Sequence, residues 1–198
     1  LVDPNGQPYI PGSSLKGRVR AEAERIAKKK GLPVCNPPNV KDMCGSTKGK
    51  IEDFCICCKI FGTAGDISLA SKVKFRDSYP KDKVDRLLER TGIAIDRSTA
   101  TVKKGALYTV QAVPAGTIFN FEVVGENLTD EELRLLLAAL KSVQDSALGG
   151  SSSRGFGKVK IDIKEVRERT AAYYLGEEGE KVYTGEELEK WLKEKGGF

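Results

Sequence analysis

The chain has 198 residues, is 39% hydrophobic and 31% charged, and carries 33 basic against 28 acidic residues, a net charge of +5, with five cysteines and no histidine. This composition suits a globular protein with a core of one large domain or two small ones, and no apolar run is long enough to span a membrane. The lack of histidine excludes histidine-activated nucleophiles and histidine acid–base ribonuclease chemistry from this chain's own residues.

The sequence starts at Leu1, without a methionine, and Asp3-Pro4-Asn5-Gly6 has the composition of a hairpin turn. The expectation is that upstream sequence belongs to the same fold. Pro8 and Pro11 then hold the backbone extended, and Pro11-Gly12 marks a turn. A helix is expected from about Leu15 to Lys30, capped by Ser13 or Ser14, with Val19, Ala23, Ile26 and Ala27 as its apolar stripe. Lys16, Arg18 and Arg20 lie in its first turns, where cations oppose the helix dipole, so an anion is expected beside them. Phosphate is one candidate. Glu22 and Glu24, as partners of Arg18, Arg25 or Lys28 at helical spacing, are another. Residues 1–50 hold 10 basic and 4 acidic residues, against 14 and 14 in residues 51–157 and 9 and 10 in the remainder. The basic excess therefore lies around this opening stretch, as a local polyanion surface requires.

Residues 32–62 are rich in Pro, Gly and Cys and lack apolar periodicity, as in an insertion held by something other than a core. An odd cysteine count without a secretory signal points to the cytoplasm, and to metal or free thiols over disulfides. Cys55 and Cys58 have the two-residue spacing that lets both thiolates reach one tetrahedral zinc ion. Cys35 and Cys44 can complete the site, with Cys57 spare. A Cys55/Cys57 exchange and a set of buried free thiols stay open.

Alternation predicts a strand within residues 66–77, through Ile67, Leu69, Val73 and Phe75. Lys81 to Arg90 reads as a short charged helix or loop. Residues 91–108 are rich in β-branched residues, with a turn offered at Lys104-Gly105, and predict a hairpin or extended excursion. Another strand is expected within Val110 to Val124. Leu128-Thr129-Asp130-Glu131-Glu132 is a capping box, followed by Leu133, Leu136, Leu137 and Leu140 at helical spacing. A glycine- and serine-rich loop over 148–157 offers backbone N–H groups to phosphates, and Arg154 can add a bidentate contact. Lys158 to Ile163 is expected to be a closing strand. Thr184-Gly185-Glu186-Glu187 starts a last helix with Leu188, Trp191 and Leu192 on one side. The order strand, helix, strand, strand, helix, strand fits an α+β domain of ferredoxin-like or RRM-like type.

The run Pro8-Tyr9-Ile10-Pro11-Gly12-Ser13-Ser14-Leu15-Lys16-Gly17-Arg18-Val19-Arg20 resembles the signature of the CRISPR-associated RAMP superfamily. More narrowly, it is similar to the repeated backbone subunit of type III (Csm/Cmr) effector complexes. Three later stretches fit the same family. Cys58-Lys59-Ile60-Phe61-Gly62 resembles the end of its cysteine-rich stretch. The pattern I-D-R-x-T from Ile95 to Thr99, with Gly105, Leu107 and Tyr108 beyond, is similar to its thumb hairpin. L-G-G-x-x-S-R-G-x-G over 148–157 resembles its glycine-rich loop and is the most specific of the four.

The resemblance implies a RAMP core of residues 1–31 and 63–166 with its first strand missing or truncated, a thumb at about 91–108, a Cys-rich zinc insertion at 32–62 and a C-terminal extension at 167–198. It implies a cytoplasmic antiviral protein that binds CRISPR guide RNA through Ser13, Ser14, Lys16, Arg18, Arg20, Asp96, Arg97, Gly149, Gly150, Ser151, Arg154 and Gly155. Its partners would be guide RNA, complementary target RNA, copies of itself in a helical filament and other type III subunits, with no membrane. Zinc would be held by Cys35, Cys44, Cys55 and Cys58. Relatives also cut the paired target RNA at regular intervals, with magnesium or manganese and an aspartate in a loop before the opening motif. That loop is expected before Leu1, so no catalytic residue is assigned. A guide-processing endoribonuclease of the same superfamily and a zinc-stabilised protein-interaction module are the alternative readings.

Overall fold

Pro11 ends an extended run and the chain turns at once into helix in the computed structural model, which describes residues 1–197. The helices among the described residues are α1 (Gly12–Lys29), α2 (Cys44–Thr47), α3 (Ile56–Phe61), α4 (Asp130–Asp145), α5 (Ala171–Tyr174) and α6 (Gly185–Gly196). The strands are β1 (Val73–Phe75), β2 (Tyr79–Pro80), β3 (Leu88–Ile95), β4 (Val102–Ala112), β5 (Phe119–Asn120), β6 (Val123–Gly125), β7 (Val166–Glu168) and β8 (Lys181–Tyr183). They are divided between two units: one is Leu1–Ser14 with Phe75–Val123, the other is Leu15–Lys74 with the chain from Val124 on.

In the first unit the opening segment is tied down by backbone pairing. Ile10 and Ser78 exchange N–H···O bonds of 2.9 and 2.8 Å, and the rings of Tyr9 and Tyr79 stack at 5.6 Å. Asp3 accepts the N–H groups of Asn5 and Gln7 on Oδ1 and makes the expected turn. Neither Ser13 nor Ser14 caps α1, because the helix begins before them. The Gly12 N–H is taken instead by the Asp77 carboxylate at 2.8 Å, which satisfies an orphan donor and sets a negative charge at the positive end of the helix. Gly12 must be glycine, since a Cβ there would run into the carbonyl of Phe75.

β3 and β4 form an antiparallel hairpin, paired from Leu88↔Ala112 to Ile95↔Val102, with an irregularity between Ile93 and Ile95. It begins earlier than expected, so Leu88 to Arg90 are strand and only the preceding residues form a loop. Leu88, Ile93, Ile95, Val102 and Leu107 are all exposed. β2 pairs with β5 in the same unit, so the strand expected within 110–124 is broken into three pieces.

In the second unit α1 buries Leu15, Val19, Ala23 and Ala27, while Ile26 is half-buried. α4 begins as read: Thr129 accepts from Glu132 N–H, and the Glu132 carboxylate accepts from Thr129 N–H at 2.8 Å. It is buried more widely than its leucine stripe suggests, with Leu135 and Ala139 also enclosed, and it packs against both α3 and α6. α6 buries Leu188 and Trp191, and the Trp191 indole donates to Glu168 at 2.8 Å. α6 thus packs within its own unit, against α4 and the segment Lys181–Tyr183.

β1 pairs with β6, and β7 with β8; four separate two-stranded ladders make up the sheet pairing among the described residues. The strand expected over 66–77 is therefore short, and the closing strand expected at 158–163 has no ladder partner among the described residues. Its alternation is real, with Val159, Ile161 and Ile163 more buried than Lys158, Lys160 and Asp162. The Ile161 N–H goes to the side chain of Gln144 at 3.1 Å, where a strand would give it to a neighbouring carbonyl.

Candidate nucleic-acid interface and metal centre

Cys35, Cys44, Cys55 and Cys58 meet in the second unit, with all four Sγ atoms within 4.8 Å of one another. Sulfurs of Cys35 and Cys58 lie 3.3 Å apart, and those of Cys35 and Cys55 3.8 Å. A tetrahedron with metal–sulfur bonds of about 2.3 Å has edges of about 3.8 Å, so this donor set fits a thiophilic dication such as zinc. The elements follow from the sequence: Cys44 opens α2, Cys55 precedes α3, and Cys58 lies within it. The Cys55 thiol is drawn down by the neighbouring Cys58 thiol, against the effect of burial. The neighbouring Cys55 thiol, with burial, pushes Cys58 up. Burial raises Cys44 to about 11. Cys57 is fully buried, lies outside the cluster, and is pushed up to about 12 by burial, which makes it an inert packing thiol.

Along α1 the cations are compensated by acids of the same helix. Arg18 pairs with Glu22 at 3.2 Å, Arg20 with Glu24 at 2.9 Å and Arg25 with Glu22 at 2.7 Å. Glu22 is buried, and Ser142 of α4 also donates to it at 2.7 Å. Burial alone would raise this carboxyl. The hydrogen bonds from Ser142 and Arg25, with the charges of Arg25 and Arg18, hold it below the usual range. Lys16 makes no ion pair among the described residues, and its pKa is lowered by burial and by Arg20. Arg20 departs from the expected phosphate role: its guanidinium is turned to Glu24, the Gly62 carbonyl and the Cys58 sulfur. Ser13 and Ser14 are exposed on the first turn.

An open cleft of about 700 Å³ is lined by Arg18, Ala21, Glu22, Arg25, Asp145 and Ser146. Its Ser146 end leads into the glycine-rich loop, which is closed by a Leu148 N–H to Gly157 carbonyl bond of 2.8 Å. Gly157 has φ +84°, and a Cβ there would strike the Leu148 carbonyl, so the closure depends on glycine. A short turn over Ser152–Arg154 is held by Arg154 N–H and Gly155 N–H on Ser151 and Ser152 carbonyls. The N–H groups of Gly149, Gly150 and Ser151 donate to no protein acceptor among the described residues. Such a run of open amides is a ready anion cradle.

At the tip of the β3–β4 hairpin, Asp96 builds a turn. Its Oδ1 accepts the Ser98 hydroxyl at 2.6 Å and the N–H groups of Ser98 and Thr99 at 2.9 and 3.3 Å. Those bonds hold its carboxyl below the usual range. Asp96 therefore shapes the tip, and the adjacent Arg97 is exposed there, as are Lys103 and Lys104. Sequence reasoning missed Asp77 and Ser142. Asp77 carries no local signal, since its partner Gly12 lies 65 residues away.

A helix opening on a P-G-S-S-L-K-G-R motif, a glycine loop with open amides and an α+β frame together define a class, and the chain belongs to it: the RAMP superfamily model matches residues 1–160. Within that superfamily the chain is similar to the CRISPR system Cms endoribonuclease Csm3 of Methanocaldococcus jannaschii, with 34% identity over 94% of this chain and 75% of the relative. The Csm3 of Methanothermobacter thermautotrophicus is 31% identical over 87% of this chain and 75% of its own length. Among solved structures, a chain of the Csm3–Csm4 subcomplex of the type III-A CRISPR–Cas interference complex superposes with a TM-score of 0.62 at 29% identity. That match covers all of this chain and 86% of the other.

Proposed function

We propose that this chain is a guide-RNA-binding backbone subunit of a type III CRISPR interference complex. The observation that carries the reading is the loop at 149–155, whose three consecutive open amides lie just beyond Ser146 at the end of a cleft lined by Arg18 and Arg25 together with Glu22 and Asp145. Backbone amides and guanidiniums bind phosphates without reading bases, which a carrier of arbitrary guide sequences requires. Ser13, Ser14, Lys16 and Arg18 of α1, with Gly149, Gly150, Ser151, Arg154 and Gly155 of the loop, make up the guide contacts; Arg97 at the hairpin tip adds another. The β3–β4 hairpin serves as the thumb of a RAMP core, touching RNA or a neighbouring copy. Cys35, Cys44, Cys55 and Cys58 hold a structural zinc that helps order residues 32–62, beside the buried Phe54, Ile60 and Phe61, which tie the segment to the core where the sequence suggested none. Copies polymerise along the guide beside other type III subunits, and complementary target RNA pairs with it. The relatives are endoribonucleases by name; none of residues 1–197 is assigned to cleavage.

The test is retention of RNA by the purified protein. Produced together with a CRISPR array, it should carry guide RNA through purification, and it should bind unrelated single-stranded RNAs with affinities within a few-fold of one another. Protein free of RNA, with no shift of any single-stranded RNA at low salt, would favour the protein-interaction module.

A further inference from the structure

The Arg20 guanidinium makes three contacts with three parts of the second unit. Nε donates to Glu24 at 2.9 Å one helical turn on, Nη1 to the Gly62 carbonyl at 2.9 Å, and Nη2 lies 3.7 Å from Cys58 Sγ. Gly62 is itself fixed. Its N–H donates to the Cys58 carbonyl at 2.9 Å, its φ is +82°, and a Cβ would meet the Leu69 carbonyl at 2.8 Å. Arg20 and Glu24 side chains are each only 21% exposed.

We infer that Arg20 is a positioning residue of the cysteine centre, fastening α1 to the end of α3 and donating to the Cys58 sulfur. The inference rests on the reading of the cluster as a metal site. A four-thiolate site holding a dication carries surplus negative charge, and a guanidinium at its edge offsets part of it. Only a planar fork reaches a carboxylate, a carbonyl and a sulfur in fixed directions; a lysine ammonium on a flexible stem does not hold all three. Hydrogen bonds from outside the ligand set commonly alter metal affinity by about 10–100-fold. Arg20 lies two residues from Arg18 and one turn from Lys16, so retention of the metal and the setting of the basic face of α1 are linked through one side chain.

The test compares zinc release to a chromophoric chelator from wild type, Arg20→Gln, Arg20→Lys and Glu24→Gln. Wild type should contain about one zinc per chain, and Arg20→Gln should release it roughly tenfold faster or more. Arg20→Lys should be intermediate, and Glu24→Gln, which keeps the cation and frees its orientation, a few-fold faster than wild type. Cobalt-substituted Arg20→Gln should show its thiolate-to-cobalt charge-transfer band at longer wavelength, because an unbonded sulfur is the better electron donor. If Arg20→Gln fails to fold, the rate and band of Arg20→Lys and Glu24→Gln decide. Wild-type release rates and an unmoved band in the folded variants would overturn the role of Arg20 while leaving the metal site standing. Wild-type protein with no bound zinc and five titratable thiols would remove the metal reading itself.

Discussion

Asp77 caps α1 from 65 residues away, its Oδ1 accepting the Gly12 N–H at 2.8 Å. Asp77→Ala should cost about 1 kcal/mol of stability by leaving a helix donor unpaired. Asp77→Asn should recover most of that stability, since a cap needs an acceptor more than a charge. Gly12→Ala should be worse, roughly 1–3 kcal/mol, because its Cβ is forced into the Phe75 carbonyl. Chemical denaturation of the three variants gives the order.

The Glu22 carboxylate, buried between Arg18, Arg25 and Ser142, is held below the usual glutamate range. A carboxyl depressed in the folded state contributes stability above its unfolded pKa and loses it as pH falls through the lower folded value. Glu22→Gln should therefore be about 2 kcal/mol less stable than wild type at pH 7. The gap should close as the pH drops below about 4, the ordinary range of a free glutamate. A gap that is constant from pH 7 to pH 3 would contradict the arrangement.

Lys72 Nζ binds both carboxylate oxygens of Glu132, at 2.9 and 2.7 Å, and Glu132 is buried and also completes the α4 capping box. Removing the cation strands a buried charge, so Lys72→Ala should cost roughly 3 kcal/mol. Lys72→Met with Glu132→Gln should cost less than Lys72→Ala alone, because no unpaired charge remains. Thermal melts arranged as a double-mutant cycle measure the coupling.

What is legible in the sequence is local. The α4 capping box and the Asp3 turn can be read because their partners are two to four residues apart, and the four cysteines because two-residue spacing matches the reach of thiolates to one ion. The α1 cap cannot: Ser13 and Ser14 have the look of caps, whereas the acceptor is Asp77. Nor can the closing strand, because alternation at Val159, Ile161 and Ile163 reports a half-buried extended segment and not a hydrogen-bonding neighbour. Charge alone groups Arg20 with Lys16 and Arg18; only the fold turns it inward toward Gly62 and Cys58.

The β3–β4 hairpin exposes Leu88, Ile93, Ile95, Val102 and Leu107, and its pairing is internal. Deleting Ser98 to Lys104 and joining the arms with a short turn should leave the unfolding midpoint of the remaining protein within a few degrees of wild type. Assembly on guide RNA should change, read as the size distribution of complexes by light scattering. Loss of folding in the deletion would make the segment part of the core.

The most direct test of RNA binding is the salt dependence of affinity for single-stranded RNA in wild type, Lys16→Ala and Arg154→Ala. Each variant should bind unrelated sequences more weakly by the same factor, and each should flatten the slope of log K against log salt by about 0.7 for the one phosphate it no longer neutralises. Unchanged affinity and slope in both variants would contradict a guide-phosphate surface built from α1 and the glycine-rich loop.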